Sequence, residues 1–146
     1  VVPSSLDEEN AYARICEWAR QRFVKPNVIV SKFTEMDETN HALNLTAEEY
    51  LVFTNKFFVL DRTRINYWLG FQFDDGAVVV KMTRINYWYE EEREGGLKFS
   101  AEEFISDDEA FNRKGTKLMK DQGKFRKGTI DFFESIVAEA TEVLAD

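Results

Sequence analysis

The hexamer Thr63-Arg64-Ile65-Asn66-Tyr67-Trp68 returns unchanged as Thr83-Arg84-Ile85-Asn86-Tyr87-Trp88. Between the copies run Leu69 to Phe73, then Asp74-Asp75-Gly76, then Ala77 to Met82. Asp-Gly between runs of aromatic and β-branched residues marks a β-hairpin, here spanning about residues 63–89. A two-residue turn at Asp75-Gly76 pairs Asp74 with Ala77, Phe73 with Val78, Trp68 with Thr83 and Thr63 with Trp88. A three-residue loop would instead pair Phe73 with Ala77 and set Ile65 against Ile85. The choice matters because a slip of one residue sends every side chain to the other face. The first register is preferred, since it gathers Ile65, Tyr67, Leu69, Phe71 and Phe73 with Val78, Val80, Met82 and Trp88 on one apolar face.

The repeat has three readings. It is a ladder of good strand formers, or a paired surface of Arg64, Tyr67, Trp68, Arg84, Tyr87 and Trp88 set for partner contact, or one peptide grafted at two sites. Two copies are too few for a solenoid or propeller.

Around the hairpin the chain reads as α+β. Ser5 with Glu8 fits a capping box, and Tyr12, Ile15, Cys16, Ala19 and Phe23 recur at helical spacing, which predicts a helix from Leu6 to Phe23 stopped by Pro26. Asn27 to Thr34 reads as a strand, and the polar stretch Glu35 to Asn40 as a loop or sheet edge. Thr46 with Glu49 and Ser100 with Glu103 look like two further capping boxes, each predicting an extended segment that turns into a helix. Phe57 to Asp61 reads as a strand leading into the hairpin. The charged run Glu90 to Glu94 before Gly95-Gly96 reads as a guarded strand end, and Leu97 to Phe99 as a short last strand. Ala101 to about Lys120 reads as helical. Thr129 reads as the cap of a final helix with Ile130, Phe133, Val137, Ala140 and Leu144 on its buried stripe. The expected architecture is an N-terminal helix, about four antiparallel strands, and C-terminal helices on one face of the sheet, in one domain over residues 1–146.

Composition bounds the function. Thirteen Phe, five Tyr and three Trp in 146 residues exclude a disordered chain. One cysteine excludes an internal disulfide framework, and Cys16, on the helix stripe without a histidine partner, reads as an inert core thiol. No apolar run reaches the roughly 20 residues that span a bilayer, so the expectation is a cytoplasmic protein. Asn44-Leu45-Thr46 matches a glycosylation pattern that is idle in that compartment. The net charge is −8, yet Arg113 to Lys127 holds seven basic residues against Asp121 alone. That segment is basic and the remainder strongly acidic.

Three function classes fit. The first is a non-enzymatic interaction or adaptor module that meets a protein through the Arg/Tyr/Trp hairpin, with a homodimer through the hairpin as one form. In it Lys114, Lys117, Lys124, Arg126 and Lys127 would take an anionic or acidic partner. The second is a cup for a small ligand or an enzyme site, lined by Asp61, Tyr67, Tyr87 or the single histidine, His41. The third is nucleic-acid binding through residues 113–127, opposed by the acidic remainder. The chain has no Gly-rich phosphate loop, HExxH, CxxC or nucleophile elbow. Asp107-Asp108-Glu109 lacks calcium-loop spacing. No metal or cofactor is expected.

Overall fold

The computed structural model describes residues 1–57, 59–91, 94–106, 110 and 120–145, with the backbone alone at 120 and 121. In chain order the elements are β1 (Val2–Pro3), α1 (Glu8–Arg22), β2 (Val30–Asp37), β3 (Ala42–Lys56), β4 (Val59–Asp74), β5 (Ala77–Tyr89), β6 (Leu97–Ser100), α2 (Ala101–Phe104) and α3 (Lys120–Leu144). The strands form one antiparallel sheet in the order β1-β5-β4-β3-β2, with β6 also on β5. The α+β class, the N-terminal helix, the long hairpin and the C-terminal helix agree with expectation. Among the described residues the sheet has six strands rather than about four.

The extra sheet comes from a stretch that sequence assigned to a helix. Leu43, Leu45, Ala47, Glu49 and Leu51 are buried and alternate with Asn44, Thr46, Glu48 and Tyr50. That is period two, the mark of a strand with one buried face. Thr46 sits mid-strand, paired with Lys32 on one side and Trp68 on the other. Ladder bonds on both sides override the local capping preference. Ser100 lies at the end of β6, where pairing stops, and there the same motif does cap a helix: its Oγ accepts from the Glu103 N–H at 3.2 Å.

The turn at Asp75-Gly76 holds the two-residue register, with Asp74 against Ala77 and Trp68 against Thr83. Gly76 takes the left-handed φ of +83° that such a turn demands. Beyond Trp68 the register shifts by one, so Asn66 meets Asn86, Ile65 meets Tyr87 and Arg64 meets Trp88. Thr63 therefore faces Tyr89, not Trp88 as the unshifted ladder implied. The reason is parity. In the unshifted register Tyr67 would oppose Arg84 and Ile65 would oppose Asn86, so the two identical hexamers would turn opposite faces to the core. One extra residue in β5, a bulge with Arg84 at φ +49°, restores the match. Both copies then bury their tyrosine, each 1% exposed. Trp88 consequently leaves the core face to which sequence assigned it.

The helices cover one face. α1 begins two residues later than expected: Asp7, not Ser5, is its cap, with Oδ1 accepting from the Asn10 N–H at 2.8 Å. Tyr12, Ile15, Cys16 and Ala19 are buried as the spacing predicts, and Trp18 packs edge-on against Phe71. α3 runs unbroken through Gly123, Gly128 and Thr129, so Thr129 is not a cap. Its hydroxyl instead meets the Tyr87 hydroxyl at 2.6 Å in the core. The buried stripe of α3 is Phe125, Thr129, Ile136, Ala140 and Leu144, whereas Ile130 is 46% exposed. Of the helix expected over Ala101 to Lys120, the described residues show α2, which ends at Phe104, and helical backbone again at Ala110. Asp107–Glu109 and the stretch 111–119, with Lys114 and Lys117, lie outside the described residues.

Gly95-Gly96 turns the chain into β6, with φ +82° and +71°. A Cβ at Gly96 would fall 2.5 Å from the Tyr89 carbonyl oxygen, whereas one at Gly95 meets nothing within 4 Å. Gly95→Ala is expected to cost about 1 kcal/mol through its backbone alone, and Gly96→Ala distinctly more. Urea unfolding of the two variants tests this, and equal losses would show that the turn relaxes freely.

Candidate functional site: the open face of the sheet

The second face of the sheet carries no helix among the described residues. Its side chains alternate with the core set along each strand. β3 contributes Asn44, Thr46, Glu48 and Tyr50; β4 contributes Arg62, Arg64, Asn66, Trp68 and Gly70; β5 contributes Lys81, Thr83, Arg84 and Trp88. A groove of about 540 Å³ runs over Trp68, Gly70, Gln72, Val79, Lys81 and Thr83, with His41 at its rim. A second, of about 510 Å³, lies over Glu48, Asn66, Trp88 and Lys98.

The aromatic rings here are covered by cations. The Arg84 guanidinium sits 4.1 Å from the Trp68 ring centre and that of Arg62 3.7 Å from Tyr50. Trp88 has Arg64 at 4.9 Å and the Lys98 ammonium at 4.3 Å. Each contact joins a positive group to the negative face of a ring. Arg64 is also neutralised: it pairs with Glu48 at 3.2 Å and with Glu91, which accepts from the Tyr50 hydroxyl at 2.7 Å. Burial works against the Arg64 charge, but Tyr50 and the two carboxylates outweigh it, so its pKa lies above the ordinary arginine value. The Trp88 indole N–H donates to the Gly95 carbonyl at 2.7 Å, which ties the ring to the β5–β6 turn.

The sequence-predicted residues divide between the faces. Arg64, Trp68, Arg84 and Trp88 meet on the open face. Tyr67 and Tyr87 do not, because the parity of their strands points them into the core. The Tyr67 hydroxyl donates to Glu49 Oε2 at 2.8 Å, and Glu49 is held in turn by Arg22 at 3.2 Å. Burial and then the Glu49 charge push the Tyr67 pKa far up. Burial pushes Tyr87 up to about 12, against a smaller opposing effect of Thr129. Asp61 lies on another part of the sheet, bonded to Tyr89 at 2.5 Å and Lys124 at 2.7 Å. His41 bonds Glu8 through Nδ1 at 2.9 Å. Among the described residues the four proposed for a cup line four different pockets: His41 the first groove, Tyr87 the second, and Asp61 and Tyr67 one each elsewhere. Of the basic segment, Lys124 is taken up by Asp61, Arg126 donates to the Ile105 carbonyl at 3.0 Å, and Lys127 is exposed. Lys114 and Lys117 lie outside the described residues.

Sequence reasoning missed Tyr50, Arg62, Glu48 and Lys98. The signal for Tyr50 and Glu48 was the alternation from Leu43 to Leu51, masked by Ala-Glu-Glu, and that for Arg62 was its place in the alternation of β4, two residues before Arg64. Lys98 is legible only through pairing, since it stands directly across from Trp88.

The Asp61 cluster gives a pH test. Burial raises the Asp61 carboxyl, but hydrogen bonds from Lys124 and Tyr89 outweigh it, and its pKa ends below the ordinary value. A lowered folded pKa contributes stability above the unfolded pKa of about 3.9, and that contribution is lost as pH falls through the folded value. Asp61→Asn should therefore lower the urea midpoint most near neutral pH, and the gap to the parent should close in acid. A gap that stays constant down the acid range would remove the cluster from the stability account.

Comparison with known proteins gives the family. A profile described as a domain of unknown function with TBP-like fold, DUF4468, matches residues 2–88, from β1 to all but the last residue of β5. A crystal structure of a DUF4468 family protein from Bacteroides ovatus superposes at a TM-score of 0.88 and 26% identity, covering 100% of this chain and 83% of that one. A TBP-like protein from Parabacteroides distasonis superposes at 0.78 and 19% identity, covering 98% and 88%, and shares the fold. The curated proteins contain no match. With more than half of its length under the family profile, the chain belongs to the DUF4468 family.

Proposed function

We propose that the chain is a non-enzymatic protein-interaction module whose contact surface is the open face of the sheet, centred on Arg64, Trp68, Arg84 and Trp88. The observation that carries this reading is the set of Trp–cation pairs on the sheet face that, among the described residues, the helices leave uncovered. Trp68 is 42% exposed on a central strand, with Arg84 stacked on it. A tryptophan held outward in this way serves folding little and suits a partner well, since Trp, Tyr and Arg supply most interface energy. Trp68 lines the first groove beside Asn44, Lys81 and Thr83, and Trp88 lines the second beside Glu48 and Asn66.

An enzymatic cup has less support, because Asp61, Tyr67, Tyr87 and His41 are each bonded inside the fold and face different regions. The TBP-like architecture by itself argues no function. Homodimerisation through the hairpin edge is also less favoured. β4 is paired on both sides, and β5 already carries β1 at one end and β6 at the other. A partner laid on the face meets no such obstacle. The buried, unpaired Cys16 suits a reducing compartment such as the cytoplasm.

A photo-crosslinking residue placed at Trp68 should trap a discrete protein from the native host lysate, whereas the same residue at Glu134, exposed on α3, should not. Equal adducts from both positions, or none from position 68, would overturn the reading.

A further inference from the structure

We propose that the outer edge of β2 pairs with the same edge of a second copy of the chain, so that two sheets join into one across a two-fold axis. This goes beyond the interaction reading above and uses a different surface. β2 is the last strand on its side of the sheet and, among the described residues, pairs with β3 alone. Its far side is a row of backbone donors and acceptors, 8 residues long, on which another strand can be laid. At the other end of the sheet β5 already carries β1 and β6.

A bulge selects the strand that this edge takes. The pairing of β2 with β3 shifts by one between Phe33, opposite Leu45, and Glu35, opposite Asn44. Regular alternation would send Lys32 and Glu35 to opposite faces. With the bulge both stand on the open face, Lys32 beside Thr46 and Glu35 beside Asn44. Ser31, Phe33 and Met36 stand on the helix side, beside Ala47, Leu45 and Leu43. An antiparallel copy centred between Phe33 and Thr34 sets Lys32 opposite Glu35, Ser31 opposite Met36 and Val30 opposite Asp37 of the second copy. Each of these pairs joins residues of like facing, as a sheet continued through the seam requires. By symmetry the Lys32–Glu35 contact occurs twice. A slide of one residue sets Lys32 against Met36 or Ser31 against Glu35, which face opposite ways. A slide of two sets Lys32 against Asp37, but that carboxylate is already bound by Thr39 and Asn40, and the paired stretch shortens.

The two charges are available for this role. Both side chains are exposed. Among the described residues neither has an ion-pair partner, and Glu35 accepts from the Asn44 amide at 2.7 Å. A lysine and a bulge on an edge ordinarily turn other strands away. Here they exclude a strand of unlike pattern and admit one that offers the opposite charge at the matching place, which the chain's own β2 does. Val30, 58% exposed at the start of the strand, gains cover in the same step. The seam is short, so the dimer dissociates on dilution.

The test follows the intact chain by analytical ultracentrifugation at about 0.15 M salt, which screens the repulsion between two chains of −8. The parent should be monomeric when dilute and dimeric as its concentration rises toward about 1 mM. Lys32→Glu and Glu35→Lys each set like charges against one another at both contacts, and each should weaken dimerisation about tenfold. An equal mixture of the two variants should associate as the parent does, because each meets opposite charges on the other. A parent that stays monomeric throughout, single variants that dimerise like the parent, or a mixture that stays monomeric each overturns the proposal. A photo-crosslinking residue at Val30 should join two copies. If it traps a different protein from the host lysate instead, the edge takes a foreign strand and the proposal falls. Crosslinking at position 68 reads the open face independently of these outcomes, so either proposal can fail alone.

Discussion

Parity in the central hairpin is the constraint on which the rest of the structure depends. Two identical hexamers in an antiparallel pair can show the same faces only if the register sum is even, and the two-residue turn makes it odd. The bulge at Arg84 supplies the missing residue. Its left-handed backbone is unfavourable for arginine by about 1 kcal/mol, yet it allows both tyrosines to fill the core and both tryptophans to leave it. Without it Arg84 and Asn86 would point at the helices with no partner, a far larger penalty. The same bulge delivers Arg84 to the Trp68 ring, so the device that secures the core also builds the surface.

The two faces use similar side chains for opposite ends. Beneath the helices, polar groups are closed off in small sets. Arg22 on α1, Glu49 on β3 and Tyr67 on β4 form one such set, with Glu139 of α3 3.5 Å from Arg22. Tyr87 and Thr129 form another. Each bonds a helix to a named strand, and truncating one partner would strand a buried charge or hydroxyl. On the open side Arg64, Glu48, Glu91 and Tyr50 form a third set, while Arg62, Arg84 and Lys98 lie over aromatic rings instead.

Much of the fold was legible in the sequence. Asp75-Gly76 fixed the turn, the apolar alternation of β4 fixed its inner face, and the stripe of α1 fixed its buried side. The failures have physical causes. At Thr46 a helix-start motif coincided with a strand pattern, and pairing with two neighbours decided for the strand. At Thr129 a good cap residue fell inside a helix, because the Tyr87 hydroxyl needed a partner there. The bulge was missed because no glycine marks it. The site was half legible: residue type pointed to the Arg-Trp pairs, but which tyrosines were surface and which were core followed only from the shifted register.

The interior glycines of α3 have a further consequence. Gly128 lies against Phe53, where a Cβ would come within 3.1 Å of the ring. Together with Gly123 it lowers the intrinsic helix propensity of this segment by about 2 kcal/mol relative to alanine. The helix therefore gains its stability from docking rather than from its own backbone. That docking is a ring cluster, with Phe125 of α3 against Phe53 of β3 and Tyr87 and Tyr89 of β5, so the sheet acts as the template for a helix that its own backbone specifies weakly.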